Sequence, residues 1–156
     1  MKILIVYYSR TGVTKKLAIH LASFLNADLE EIKDQNSRLG LLGYLNSGKE
    51  AALKKIIPIE KLMFNPKDYD LVLVGTPVWA FTISSPVRSF LEKYKNDFKA
   101  WAMFCTQGGE GEQKTLSSAE KIVGSPAKAF LRLLTKQVLR KEFLSEIEVF
   151  KEKLEK

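Results

Sequence analysis

The sequence predicts an α/β fold: a parallel sheet of five strands with helices on both faces. Three observations carry this. Ile3–Tyr7 is apolar at every position, as a strand buried on both faces should be. Apolar runs then alternate with amphipathic helical stretches, the pattern of parallel strands joined by helical crossovers. The most distinctive residues fall in the turns that follow strands, where open sheets of this kind place their ligands. A chain of 156 residues suits one domain, expected to span 1–156.

Each element has its own signal. The first helix is expected from about Thr14 to Leu25, with Leu17, Leu21, Phe24 and Leu25 on one face. Asp28 to Ile32 mixes charged and apolar residues and reads as an edge strand. Residues 34–69 form a long connection, broken by Gly40, Gly43 and Gly48, with a helix from Lys49 to Lys55. Leu71–Val74 is the third strand. Ser85 as N-cap and Pro86 at the first helical position start the next helix, whose apolar face is Val87, Phe90, Leu91 and Tyr94. The fourth strand runs from Trp101 to Cys105, with Trp101 expected in the core. A helix from Lys114 to Val123 ends at Gly124. Lys128–Leu134 is assigned to an edge strand because the alternation calls for one. As a helix it would instead carry a basic stripe of Lys128, Arg132, Lys136 and Arg140. Phe143, Ile147, Phe150 and Leu154 keep helical spacing in the last helix.

Composition narrows the function. The chain is 46% hydrophobic and 28% charged, with a net charge of +7. That charge favours an acidic partner, substrate or cofactor. Nucleic acid is not expected, because the basic residues are interspersed with acids and no basic stripe carries spaced aromatics. No stretch approaches the roughly 18 apolar residues of a membrane helix, and a cytoplasmic location is expected. The single cysteine, Cys105, forms no internal disulfide, and no Cys/His cluster suits a metal. A phosphatase loop C-x-x-x-x-x-R would need arginine where Gly111 stands, so Cys105 reads as a buried strand residue. The sole histidine, His20, is expected in solvent. No catalytic residue is assigned.

The turn after the first strand is Ser9-Arg10-Thr11-Gly12-Val13-Thr14. Its three hydroxyls can donate to phosphate oxygens, Gly12 allows close backbone approach, and the free N–H groups of a helix start favour an anion. Lys15 and Lys16 sit at the end of the helix that disfavours cations, at a cost of roughly 0.3–1 kcal/mol each that a bound phosphate would reverse. Neither G-x-x-x-x-G-K-[ST] nor G-x-G-x-x-G occurs, which suits a terminal monophosphate rather than a triphosphate or dinucleotide. After the third strand comes Thr76-Pro77-Val78-Trp79-Ala80-Phe81. Aromatic residues exposed in a loop suit stacking on a flat ring. After the fourth strand comes Thr106-Gln107-Gly108-Gly109-Glu110-Gly111, whose three glycines let backbone amides approach a ligand edge, with Thr106, Gln107, Gly108 and Gly109 as the expected contacts.

The stretch Ile5-Val6-Tyr7-Tyr8-Ser9-Arg10-Thr11-Gly12-Val13-Thr14, followed by Ala18 and Leu21, resembles the flavodoxin family signature for the FMN phosphate site. Val13 departs from it, since relatives often carry asparagine there. The resemblance implies a flavodoxin-like sheet of order 2-1-3-4-5, with FMN at the switch between strands one and three. It implies that the loop of Trp79 covers one face of the isoalloxazine and that the Gln107 loop bonds its pyrimidine end. No second aromatic lies between Gln107 and Lys114, so one flavin face is expected to be open. Arg38-Leu39-Gly40 and Gly43-Tyr44-Leu45 resemble a prokaryotic subgroup of the family. An ordinary surface excursion is expected there, with Tyr44 as the residue that could reach the flavin or a second copy.

Three functions follow. The first is an FMN-binding electron-transfer protein, whose partner is an acidic redox protein or a small-molecule acceptor. The second is an FMN-dependent NAD(P)H:quinone-type reductase, for which no dedicated nicotinamide site is visible. The third is a flavin-free interaction module, against which the first-loop hydroxyls and Trp79 argue. A monomer and a homodimer both remain open.

Overall fold

The computed structural model describes residues 1–34 and 40–156, without the side chains of residues 40, 41 and 44. Arg38, Leu39 and the side chain of Tyr44 therefore lie outside the described residues. In chain order the elements are β1 (Ile3–Tyr7), α1 (Val13–Leu25), β2 (Asp28–Glu31), α2 (Gly40–Ala52), β3 (Leu71–Trp79), β4 (Thr82–Ile83), α3 (Ser85–Tyr94), β5 (Trp101–Gln107), α4 (Glu112–Val123), β6 (Phe130–Leu134), α5 (Thr135–Arg140) and α6 (Leu144–Glu155). The parallel strands lie in the order β2-β1-β3-β5-β6, the order that the family resemblance implied. The sheet has six strands rather than five, because β4 folds back antiparallel on the end of β3.

The period-two geometry of a strand divides the core in two. On one face Ile3, Ile5, Leu71, Leu73, Phe104, Leu131 and Leu133 pack under α1, α5 and α6. On the other, Leu4, Val6, Val72, Val74, Trp101, Met103 and Cys105 pack under α2, α3 and α4. Central strands buried on both faces must be apolar at every position, which is why β1 was legible. Edge strand β2 is half exposed and mixed in character. Gly124 closes α4 with φ +82, and Trp101 is buried, as expected.

Several boundaries differ from the sequence reading. Helix α2 starts at Gly40, nine residues before the expected Lys49, and the glycines do not interrupt it. Packing against β3 and α3 overrides their low helix propensity. Strand β3 runs on through Gly75–Trp79 because β5 also extends, to Gln107, and pairs with it as far as Pro77–Thr106. The N-cap of α3 is Ser84, not Ser85, and its hydroxyl caps nothing. Helix α4 starts two residues early, at Glu112. Phe24 is 41% exposed, so the apolar face of α1 is narrower than its periodicity suggested. The short helix α5 was not expected.

The register sets Gly75 beside Phe104, whose ring lies across the glycine. A Cβ on Gly75 would stand 2.2 Å from Phe104 Cζ, and Phe104 is fully buried. Gly75→Ala should destabilise the protein by about 1–3 kcal/mol or more through overpacking. Gly48→Ala, inside α2 where a Cβ meets nothing within 4 Å, should instead stabilise by roughly 0.5–1 kcal/mol. Urea denaturation of the two variants checks both signs.

Candidate functional site

The three loops singled out in the sequence meet at the carboxyl ends of β1, β3 and β5. The first is organised by Ser9, whose Oγ accepts the N–H of Gly12 at 3.1 Å and of Lys15 at 3.2 Å. Gly12 is the N-cap of α1 at φ +95, and a Cβ there would meet no protein atom within 4 Å. The glycine is therefore required by backbone conformation and not by crowding. The N–H groups of Val13 and Thr14 at the helix start have no acceptor among the described residues. Arg10 is half-buried and Thr11 exposed. Lys15 is less costly at this helix end than its position implied, because Glu31 pairs with it at 2.9 Å. Glu31 also accepts the Tyr7 hydroxyl at 3.2 Å, and burial pushes the phenol pKa upward.

Thr14 is buried, and its hydroxyl meets that of Thr106 at 2.8 Å. This ties the first loop to the third. Gln107 is buried as well. Its amide nitrogen donates to Glu112 Oε2 at 2.9 Å, and this bond is the chief cause holding the Glu112 carboxyl below its ordinary pKa. The amide oxygen, Oε1, is buried without a hydrogen-bond partner. Buried acceptors of this kind are rare in native proteins and point to a missing donor. Gly108 and Gly109 are exposed.

The middle loop is in fact a hairpin. Val78 pairs with Ile83 and Trp79 with Thr82, leaving Ala80 and Phe81 as a two-residue turn with φ of +48 and +61. Positive φ at both positions is the turn that suits strand twist, and it ordinarily takes Asn and Gly. In alanine and phenylalanine it costs roughly 1–2 kcal/mol per residue. Thr76 anchors the hairpin: its hydroxyl donates to Pro77 O at 2.8 Å and accepts Ser84 N–H at 3.1 Å. That hydroxyl is spent on structure, leaving its neighbours Pro77 and Val78 half-buried at the site.

Trp79 and Phe81 behave differently. Trp79 is the last residue of β3, only 7% exposed, and its ring meets Tyr8 edge-on at 5.4 Å. The expectation of an exposed loop tryptophan is corrected by the extension of β3. A cavity of ≈300 Å³ lies against it, walled by Leu45, Gly48 and Lys49 of α2. Phe81 is 59% exposed, as a loop aromatic should be. Its turn rests on Gly111, at φ +126, where a Cβ would stand 3.1 Å from the phenyl ring. Gly111 belongs to the glycine run that the sequence placed in the third loop, though not among the expected contacts; Glu112 was not assigned to the site, and nothing in the sequence marked it.

Cys105 is buried, and burial followed by the charge of Glu112 pushes its thiol up to about 12. It cannot serve as a thiolate nucleophile. His20 is exposed, and its ring touches Phe143 at 5.3 Å. No helix of the described residues is long and apolar enough to cross a membrane, and none of their His, Cys, Asp and Glu groups could hold a metal.

Two measurements follow. Thr14→Val or Thr106→Val should cost about 1–3 kcal/mol by stranding the other hydroxyl, and the double variant should cost less than their sum. Denaturation of the four proteins gives the coupling. Cys105 should resist alkylation at pH 8 until the protein unfolds. Because its folded pKa is raised, its contribution to stability is present below the unfolded thiol value near 8.5 and is lost as pH rises above it.

Comparison with known proteins places this architecture. No curated protein sequence matches the chain significantly. Among solved structures it resembles a flavoprotein in complex with FMN from Lactobacillus acidophilus NCFM, at 26% identity and TM-score 0.74, over 84% of this chain and 92% of that one. The apo-form of the Lactobacillus acidophilus flavoprotein aligns with TM-score 0.62 at 26% identity, over 84% and 91% of the two chains. A WrbA-like flavodoxin from Agrobacterium tumefaciens shares the fold at 17% identity and TM-score 0.53, over 82% of this chain and 81% of that one. The family model Flavodoxin_4, described as flavodoxin, matches residues 2–147. With that match over the sheet and all three loops, the chain belongs to the flavodoxin family.

Proposed function

We propose that this protein binds FMN where the three loops meet and passes electrons through it. The observation that carries this is the helix start of α1, with unaccepted N–H groups at Val13 and Thr14 locked beside the third loop by the Thr14–Thr106 bond. Those donors, with the exposed Thr11 hydroxyl, suit a phosphate. The unpartnered Gln107 Oε1 suits the N–H donor that the flavin pyrimidine edge presents. The residues present therefore fit the group. The flavoprotein of the Lactobacillus complex supports the same cofactor.

In this reading Ser9, Arg10, Thr11, Gly12, Val13 and Thr14 hold the phosphate end. The hairpin Thr76–Phe81 flanks the ring, Phe81 from solvent and Trp79 from beneath. Thr106, Gln107, Gly108 and Gly109 meet its polar edge. FMN supplies the exchange of one or two electrons; the protein sets potential and access. A cytoplasmic location and an acidic partner surface belong to the same reading, given the net charge of +7. Reduction of a small acceptor by NAD(P)H is the second reading, and it requires a place for a second ligand beside the hairpin.

The first test is an absorbance and fluorescence titration of the protein with FMN and with riboflavin. Two charge-assisted bonds at about 1.5–3 kcal/mol each predict roughly a 100-fold or greater preference for FMN. Equal affinity, or no binding at micromolar FMN, would reject the phosphate site. A positive surround favours negative charge on the bound group. The second reduction potential should then be less negative than in acidic flavodoxins, and a spectroelectrochemical value as low as theirs would refute this.

A further inference from the structure

On the α2–α4 side of the hairpin turn lies a cleft of ≈600 Å³, within the size range of small-molecule sites. It is lined by Lys54 beyond the end of α2, by Phe81 of the turn, and by Lys114, Ser117, Ser118 and Lys121 of α4. None of residues 9–14 contributes to it, so it is separate from the phosphate loop. Its lining holds three lysines and no carboxylate. None of these lysines has a carboxylate partner among the described residues. Lys114 Nζ instead lies 5.6 Å from the centre of the Phe81 ring.

Two further features point to a ligand here. The strained Ala80–Phe81 turn presents the phenyl ring at the cleft's edge, and strain of this kind gathers at binding sites. Behind the lining, Arg88 is 5% exposed, donates from Nη2 to Thr82 Oγ1 at 3.2 Å, and leaves its buried Nε without a partner. Thr82 itself lines the cleft. A fourth positive charge thus stands beneath a surface that already carries three.

We propose that this cleft binds a ring-bearing polyanion of the phosphorylated-nucleotide kind, its anionic groups on Lys54, Lys114 and Lys121 and its ring against Phe81. Because the Ala80–Phe81 turn walls both places, a molecule in the cleft lies next to the proposed flavin position. What it does there, as electron donor or acceptor, rests on the flavin reading; the site itself does not.

The test is a calorimetric titration with NADP⁺, which is already oxidised, using FMN-loaded protein, FMN-free protein and the variant Lys54→Gln/Lys114→Gln/Lys121→Gln. All three substitutions are at exposed positions, and an unchanged melting temperature shows that the variant folds. The expected result is salt-sensitive NADP⁺ binding by the parent protein, weakened roughly tenfold or more in the variant, with FMN affinity unchanged. No binding at millimolar NADP⁺, or equal binding by the variant, overturns the proposal. Loss of FMN affinity in the variant also overturns it, by making the cleft part of the flavin site. Lysine-dependent NADP⁺ binding by a protein that fails to bind FMN supports the cleft and refutes the flavin reading.

Discussion

Thr14 and Thr106 are 92 residues apart in sequence, and their hydroxyls meet at 2.8 Å in a buried contact. Much of the site depends on this bond. One partner lies in the first turn of helix α1 and the other nearly ends strand β5, so the bond sets the helix start against the loop after β5. The open N–H groups of α1 then face the same region as Gln107 and its unpartnered oxygen. A buried hydroxyl without a partner costs on the order of 1–3 kcal/mol, so each threonine holds the other in place. The sheet supplies the rest of the alignment: Tyr7 beside Gly75 and Pro77 beside Thr106 bring three loop ends level.

The hairpin after β3 is the second constraint. Its two-residue turn places alanine and phenylalanine where glycine or asparagine would be unstrained. Thr76 and Ser84 hold the hairpin at its base, and Gly111 leaves room for the Phe81 ring at its tip. The outcome is one aromatic directed to solvent and one, Trp79, kept inside beneath α2. The same turn walls a lysine-lined cleft to which the phosphate loop contributes no residue.

Much of this was legible before folding. Burial on both faces forces continuous apolar runs, so β1 and the first half of β3 could be read residue by residue, and the helices between them by their spacing. The first loop was legible because hydroxyls, a glycine and a helix start adjoin one another in sequence. The end of β3 was not. Gly75–Trp79 contains a glycine and a proline, both signs of a loop. Only pairing with β5, whose register runs from Leu73 beside Ala102 to Pro77 beside Thr106, makes that segment a strand. Helix α2 was hidden for a like reason, since three glycines lower its local propensity and contacts with β3 and α3 restore it.

The sequence by itself determined the alternation of buried strands and helices, the place of the distinctive loops after the strands and the kind of group the first loop can hold. Those properties follow from local composition and from the period of burial, which one segment carries alone. The tertiary structure decided that Thr76 serves the hairpin, that Trp79 is inside, that Lys15 is paired with Glu31, and that Lys54, Lys114 and Lys121 share one cleft. The last three depend on distances between residues far apart in the chain and the first on how β3 and β4 pair, and such geometry exists only after the elements have packed.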